Sequence, residues 1–313
     1  MKKLLCLLAV LLLPIFALAD MEAHFLDVGH GDCTILISNG EAAIIDGGPV
    51  SASDMVFTYL RDLGVTEIKY AFATHPQTDH VGGLPAAFHA ATVKALYTPV
   101  TEYDNERFTV LMEKAAEMSV PIIVPAVGDQ FSLGDAVITV ISPSKAYTDP
   151  NDLSLVLRIK SQTMTLLICG DAGAKVEKDL LDNGADLTAD VIRISHHGSD
   201  TATTPEFISA VSPRYAVISC SERYENPDPD IMKLLLESGI TVLCTDYIGT
   251  IVHDVDALEI QCERWYVGNA KSDVFHRHTC ASVGKMNEGN KVTLYSTEEA
   301  ANKDFRPCKN CSP

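Results

Sequence analysis

One stretch, Thr74-His75-Pro76-Gln77-Thr78-Asp79-His80-Val81-Gly82-Gly83, puts the tightest limit on what this chain can fold into. It follows residues 68–73, an apolar, β-rich run of strand length. A strand that delivers two imidazoles and a carboxylate into one tight turn, then leaves through paired glycines, gathers ligands for a divalent cation. His75 and His80 offer neutral nitrogen and Asp79 offers anionic oxygen. Taken alone, the stretch has a rival reading as a turn of ordinary polar surface residues.

Two later turns repeat the design. The run 165–169 ends in Gly170-Asp171, and the run 191–194 ends in Ser195-His196-His197-Gly198-Ser199. Three apolar strands that each end in metal-competent residues beside a glycine predict ligands converging at one edge of a sheet. Around them the pattern predicts strands at 24–28, 33–38, 42–45, 93–97, 121–124, 135–141, 153–160, 215–219 and 240–244, and a last pair within 248–262. It predicts helices at 53–63, 105–118, 175–181, 205–211 and 229–237. The first helix places Met55, Val56, Tyr59, Leu60 and Leu63 on one face, and Gly64 closes it. Antiparallel meanders in each half, interleaved with helices, predict an α+β architecture of two sheets packed face to face with helices outside.

At 313 residues the chain has room for one large domain and a small one. It opens with Lys2-Lys3, an almost wholly apolar run at 4–18 and Ala17-Leu18-Ala19, the pattern of a secretory signal peptide at 1–19 with cleavage after Ala19. An uncleaved anchor is the alternative. This reading predicts an exported, extracellular protein without a membrane span after cleavage. Residues 20–265 carry a net charge of −22, whereas 266–313 carry +2. That asymmetry predicts a boundary near Trp265 and argues against a protein that coats nucleic acid by general basicity. Eight cysteines follow the signal segment, and export would allow some to pair.

The ordered motifs between Phe25 and Ile260 resemble the metallo-β-lactamase superfamily and, within it, the ComEC-like competence hydrolase domain. They are Phe25-Leu26-Asp27-Val28-Gly29-His30-Gly31-Asp32, Ile45-Asp46-Gly47-Gly48, the 74–83 stretch, Asn151-Asp152-Leu153-Ser154-Leu155, Gly170-Asp171 and His196-His197-Gly198-Ser199. The resemblance implies an αββα sandwich at 20–265 with one or two zinc or manganese ions at the sheet edge. It implies metal ligands at His75, Asp79, His80, Asp171 and one of His196 and His197, with His197 slightly favoured. Asp171 matches the carboxylate that bridges two metals. Gln77 stands where the wider family has a histidine, and Asn151 or Asp152 where it has another, so these three are weak ligands. The resemblance therefore implies one tight metal and a second that is weak or absent. Asp79 or Asp171 is expected to orient the attacking water, and His30 and Asp32 to act as outer partners or as proton donor to the leaving group. Asp27, Asp32 and Asp46 also read as turn caps.

Near the C-terminus, Cys308-x-x-Cys311 is a chelating knuckle, and Cys280 with His276 or His278 completes four ligands. Residues 266–313 resemble the zinc-binding domain of the Ada repair protein. That match places His276, Cys280, Cys308 and Cys311 around a structural zinc. His276 stands where Ada has its methyl-accepting cysteine, which argues against methyl transfer. A disulfide is the rival to zinc in an exported chain. Lys271, Arg277, Lys285, Lys291, Lys303, Arg306 and Lys309 are candidate phosphate contacts, or a plain solvated basic surface.

The leading functional expectation is a secreted, metal-dependent phosphodiesterase or nuclease acting on DNA, with the basic tail helping to hold it. One alternative is a hydrolase of small esters, lactones or phosphoesters. The other is a catalytically weakened metal- and nucleic-acid-binding protein.

Overall fold

The computed structural model describes residues 21–221, 226–254, 259–262, 266–277, 280–311 and 313. The proposed signal segment at 1–19 and the alternative ligand His278 lie outside the described residues, and no described helix is long and apolar enough to cross a membrane.

Two sheets form the body. The first runs in the order Glu259–Cys262, Ile251–Asp254, Met21–Phe25, Thr34–Ser38, Glu41–Ile45, Tyr70–Phe72, Leu96–Tyr97, Ile122–Ile123. The second runs Thr241–Cys244, Tyr215–Ile218, Val191–Arg193, Thr165–Ile168, Val156–Lys160, Ala136–Ser142, Gln130–Leu133. Between them lies one apolar layer, with Phe25, Leu36, Ile45 and Phe72 facing Ile138, Leu157, Ile168, Val217 and Leu243. Phe72 stacks on Tyr97 at 5.0 Å and meets Phe131 edge-on at 5.6 Å. Each such buried ring contributes about 1.5–3 kcal/mol through the surface it withdraws from water.

Helices cover both outer faces. Ser53–Asp62, Pro85–Ala90 and Glu106–Glu117 bury Val56, Leu60, Phe88, Phe108 and Leu111 on the first sheet. Ala174–Asp182, Pro205–Val211 and Pro229–Glu237 bury Val176, Leu180, Phe207, Ile231 and Leu235 on the second. The helix starts follow local chemistry: Asn105, Thr204 and Asp228 each accept hydrogen bonds from first-turn amides, and proline stands in the first turn after Thr204 and Asp228. The αββα sandwich is therefore present.

Both sheets are mixed, which the expectation of meanders in each half missed. Glu41–Ile45, Tyr70–Phe72, Leu96–Tyr97 and Ile122–Ile123 are parallel, as are Thr165–Ile168, Val191–Arg193, Tyr215–Ile218 and Thr241–Cys244. The chain leaves the carboxyl ends of these strands as loops along one edge, where open α/β sheets place their ligands. Those loops carry Asp46, His75 to His80, Asp171, and His196 with His197.

Other differences are local. The strand expected at 153–160 begins only at Val156, because Asn151–Leu153 turns as a 3-10 helix. The first strand is Met21–Phe25, not 24–28. The turn after His75 contains a short helix, Thr78–Val81, which the polar sequence did not signal. Cys33, Cys169 and Cys220 are free thiols buried in the body, and Cys244 is buried beside them.

Residues 266–313 build a small sheet in the order Lys291–Leu294, Tyr266–Asn269, Val274–Arg277, Arg306–Pro307, backed by the helix Thr297–Asn302. Among the described residues its apolar core is Phe275, Leu294 and Ala300, with Tyr266, Val292 and Phe305 packed around them and Val267 also buried. A core that small leaves a module dependent on a staple. His276, Cys280, Cys308 and Cys311 stand with their ligand atoms all within 4.8 Å of one another, and the three thiols are unpaired.

Candidate metal centre

The site is built from loops held by close backbone contact. The 46–49 turn and the 82–83 turn touch so tightly that a Cβ on Gly83 would lie 2.1 Å from the Gly47 carbonyl oxygen. Only glycine fits there, and the contact fixes the His75-to-His80 loop against Asp46. On the other side, His196 and His197 both take left-handed backbone angles, φ 49° and 56°. That conformation is costly for residues with side chains and is tolerated where the surroundings enforce it. It splays the two imidazoles to different sides of Asp171.

Four ligand atoms, one each from Asp79, His80, Asp171 and His197, lie within 4.8 Å of one another. His80 Nε2 is 3.2 Å from Asp171 Oδ1, and His197 Nε2 is 3.3 Å from Asp79 Oδ2. His75 Nε2 lies 3.6 Å from the second Asp171 oxygen, on the far side of that carboxylate. His196 Nε2 approaches the same oxygen at 3.9 Å. His75, His80, Asp171 and His197 are buried, while Asp79 is partly open to solvent.

Outer partners fix the imidazoles. His80 Nδ1 donates to Asp46 Oδ2 at 2.9 Å, and Asp46 in turn accepts from the Thr74 amide and hydroxyl. His197 Nδ1 donates to the Ser219 carbonyl at 2.9 Å and faces Asp32 Oδ1 at 3.3 Å. His196 Nδ1 pairs with the Thr201 hydroxyl at 2.7 Å. Each pairing leaves Nε2 turned toward the cluster, the orientation a metal-ligating histidine needs.

Asp32 itself is ion-paired with Arg193, whose other guanidinium nitrogen donates to the Ser219 hydroxyl. Both charges are buried. An ion-paired carboxylate behind His197 holds no proton for a leaving group, so of the two roles expected for Asp32 only that of outer partner fits. His30 is better placed for substrate: its Nε2 is 3.7 Å from Asp79 Oδ2, and its ring tilts over His197 at 4.3 Å.

The weaker candidates separate. Asn151 faces His196 at 3.4 Å, and its Oδ1 is buried without a hydrogen bond. Asp152 instead accepts from the Gly173 amide at 3.3 Å. Gln77 begins the short helix, with its carbonyl accepting from His80 and Val81. Sequence reasoning passed over Asp46 as a cap and did not single out Arg193 or Thr201. Asp46 ends a strand in Asp-Gly-Gly, the same signal as Gly170-Asp171, and could have been found by it.

Charge balance says what the cluster wants. Burial alone would raise Asp79 and Asp171, but the His197 hydrogen bond and His80 hold Asp79 below the usual carboxylate range, and His80 and His197 do the same to Asp171. Burial works against a charged His80, yet Asp171 and Asp46 lift it well above its ordinary value. Two carboxylates facing each other across imidazoles demand a cation. The buried atoms His75 Nε2, His80 Nε2 and Asp171 Oδ1 make no well-formed hydrogen bond, as ligand atoms for one would not. The donor set of imidazole nitrogen and carboxylate oxygen suits zinc or manganese.

Burial lowers His75 and His30 to about 4. Between the ordinary value of 6.5 and about 4, the unfolded chain binds protons that the native one refuses. Metal-free protein should therefore lose stability as pH falls through that window, by about 3 kcal/mol for fully buried His75. His80, raised, is protonated in both states below 6.5 and cancels there. Urea midpoints of chelator-treated protein from pH 7 to 4 check this; a flat profile would contradict it.

The sequence profile of the metallo-β-lactamase superfamily matches residues 26–222. ComE operon protein 3 of Bacillus subtilis (strain 168) is 29% identical over 259 residues, covering 74% of this chain and 33% of that protein. Competence protein ComA of Neisseria gonorrhoeae is 27% identical over 232 residues, covering 72% and 31%. This chain thus spans about a third of the length of the curated relatives it matches. Among solved structures, a mutant of CmlA β-hydroxylase superposes with a TM-score of 0.50 at 13% identity, covering 75% of this chain and 54% of that one, a likeness of fold alone.

Proposed function

The chain belongs to the metallo-β-lactamase superfamily and has the site of a metal-dependent hydrolase; from that premise we propose that it cleaves phosphodiesters, with DNA as the substrate class. The observation that carries the hydrolytic part is the Asp79, His80, Asp171 and His197 cluster at the carboxyl ends of parallel strands. DNA is argued from the motifs that resemble ComEC-like competence hydrolases and from a relative named as a competence protein.

A divalent ion, when bound, would polarise the scissile group and lower the pKa of bound water to about 7. The residues of the chain do the rest. His80 and His197 are held by Asp46, Ser219 and Asp32, so the site costs little reorganisation. Asp79, the more open of the two carboxylates in the cluster, orients the attacking water by accepting its hydrogen bond. His30, uncharged at neutral pH, sits beside Asp79 to relay a proton to the leaving oxygen. The acidic body repels a long strand at range, but surface charges are screened beyond about 8 Å at physiological salt.

Export follows from the pattern at 1–19, and the module at 266–313 is a structural zinc domain whose basic residues contact the phosphate backbone. Its ligand set is His276, Cys280, Cys308 and Cys311. The N–H of Cys308 bonds the Phe275 carbonyl and that of Asn310 bonds the Cys308 sulfur, which ties the knuckle to the module sheet. Cys308→Ser should release the zinc and unfold residues 266–313 while the body keeps its near-UV signal. Retained proteolytic resistance of that segment would argue against a zinc staple.

The test of function is incubation of metal-loaded protein with single-stranded DNA, double-stranded DNA, bis(4-nitrophenyl) phosphate and 4-nitrophenyl acetate. Cleavage of the phosphodiesters supports the proposal. Turnover of the ester alone would favour a small-molecule hydrolase, and none at all a weakened binding protein.

A further inference from the structure

We propose that Lys175 recognises a second phosphate, next to the scissile one, and so selects polynucleotides over compounds with a single phosphate. The inference rests on the phosphodiesterase reading above. Beside Asp171 and His196 opens a cavity of about 270 Å³, also lined by Asn151, Asp152 and Lys175. Lys175 lies on the first turn of the helix Ala174–Asp182, four residues beyond Asp171, so one loop supplies both a metal-facing carboxylate and a cation to the same cavity.

No described carboxylate forms an ion pair with it, although Asp149, Asp152 and Asp171 share the cavity wall and Asp179 feels its charge. Asp152 accepts from the Gly173 amide at 3.3 Å, and Asp149, also on the cavity wall, accepts from the Asn151 amide at 3.0 Å. Lys145 is already paired with Asp179 at 2.6 Å. Lys175 makes no ion pair among the described residues; its ammonium rests 5.1 Å from the centre of the Tyr147 ring. Tyr147 is 7% exposed and its hydroxyl donates to Asp179 at 2.8 Å, so the ring is a fixed platform. A cation–π contact positions the ammonium without cancelling its charge. In a body of net charge −22, a cation outside any ion pair, beside a cluster whose carboxylates a bound divalent ion would offset, is suited to an anionic group of the substrate. The cavity falls below the 300–1,000 Å³ typical of drug-sized ligands. A phosphate with part of its sugar fits that scale.

Two measurements test it on the full chain. In the first, a single-stranded phosphorothioate oligonucleotide, slow to be cleaved and labelled with a fluorophore, is titrated with metal-loaded wild type, Lys175→Ala and Lys175→Arg across a salt series. Lys175→Ala should reduce the log–log salt slope by about 0.7, the value for one phosphate contact to a single strand, and Lys175→Arg should keep it. In the second, metal-loaded Lys175→Ala should raise KM for the oligonucleotide about ten-fold yet leave kcat/KM for bis(4-nitrophenyl) phosphate within about two-fold, the range of a neutral surface change. An unchanged salt slope, or equal losses on both substrates, would overturn the inference. Wild type that binds with the Lys175-dependent slope but cleaves neither substrate would keep the contact and sink the phosphodiesterase reading instead.

Discussion

Asp171→Ala should abolish phosphodiester hydrolysis, lowering kcat/KM by about 10³-fold or more, the scale on which loss of a single charge-stabilising group is felt in a dry site. The carboxylate is 1% exposed and faces His80 and His197 with one oxygen and His75 and His196 with the other. No other described side chain reaches both sides of the cluster. Removing it also removes the anion that balances His80, so the variant should bind less metal as well as turn over more slowly. Initial rates on bis(4-nitrophenyl) phosphate, measured beside metal content, check both. Undiminished cleavage would show that the chemistry lies elsewhere.

Arg193→Met should cost about 3–5 kcal/mol of stability, because it strands the buried Asp32 carboxylate without a partner. The guanidinium is fully buried, and burial pulls its pKa down to about 9, so the pair is held under desolvation. Since Asp32 faces His197 Nδ1, metal affinity should fall as well, by about 10–100-fold, as when other outer partners of metal histidines are lost. The double variant Asp32→Leu with Arg193→Met separates the effects. It should recover much of the stability, as apolar replacement of a buried pair does, without recovering affinity. Urea unfolding and metal titration of wild type and the two variants give the result; full affinity in Arg193→Met would remove Asp32 and Arg193 from the support of the site.

Much of this was legible in the chain. Strands ending in Gly170-Asp171 and in His196-His197 can be read because apolar runs and ligand residues are local signals, and helices such as Pro205–Val211 and Pro229–Glu237 carry their own caps and prolines. What sequence left open was pairing in space. Whether Asn151 or Asp152 turns toward His196 depends on the 3-10 turn at Asn151–Leu153, which has no apolar period to announce it. Arg193 lay hidden for the opposite reason. It sits inside an apolar strand, and only the neighbouring Tyr215–Ile218 strand and the Asp32 turn, far away in sequence, show why a charge can be buried there. Parallel pairing was missed because a strand buried on both faces reads alike in either direction.

The central claim is that Asp79, His80, Asp171 and His197 hold a cation. Elemental analysis of the full chain beside an Asp79→Ala, His197→Ala double variant tests it most directly. Wild type should contain zinc or manganese beyond the one zinc proposed for the C-terminal module, and the double variant should keep only that one. Equal metal content in the two proteins would contradict the account.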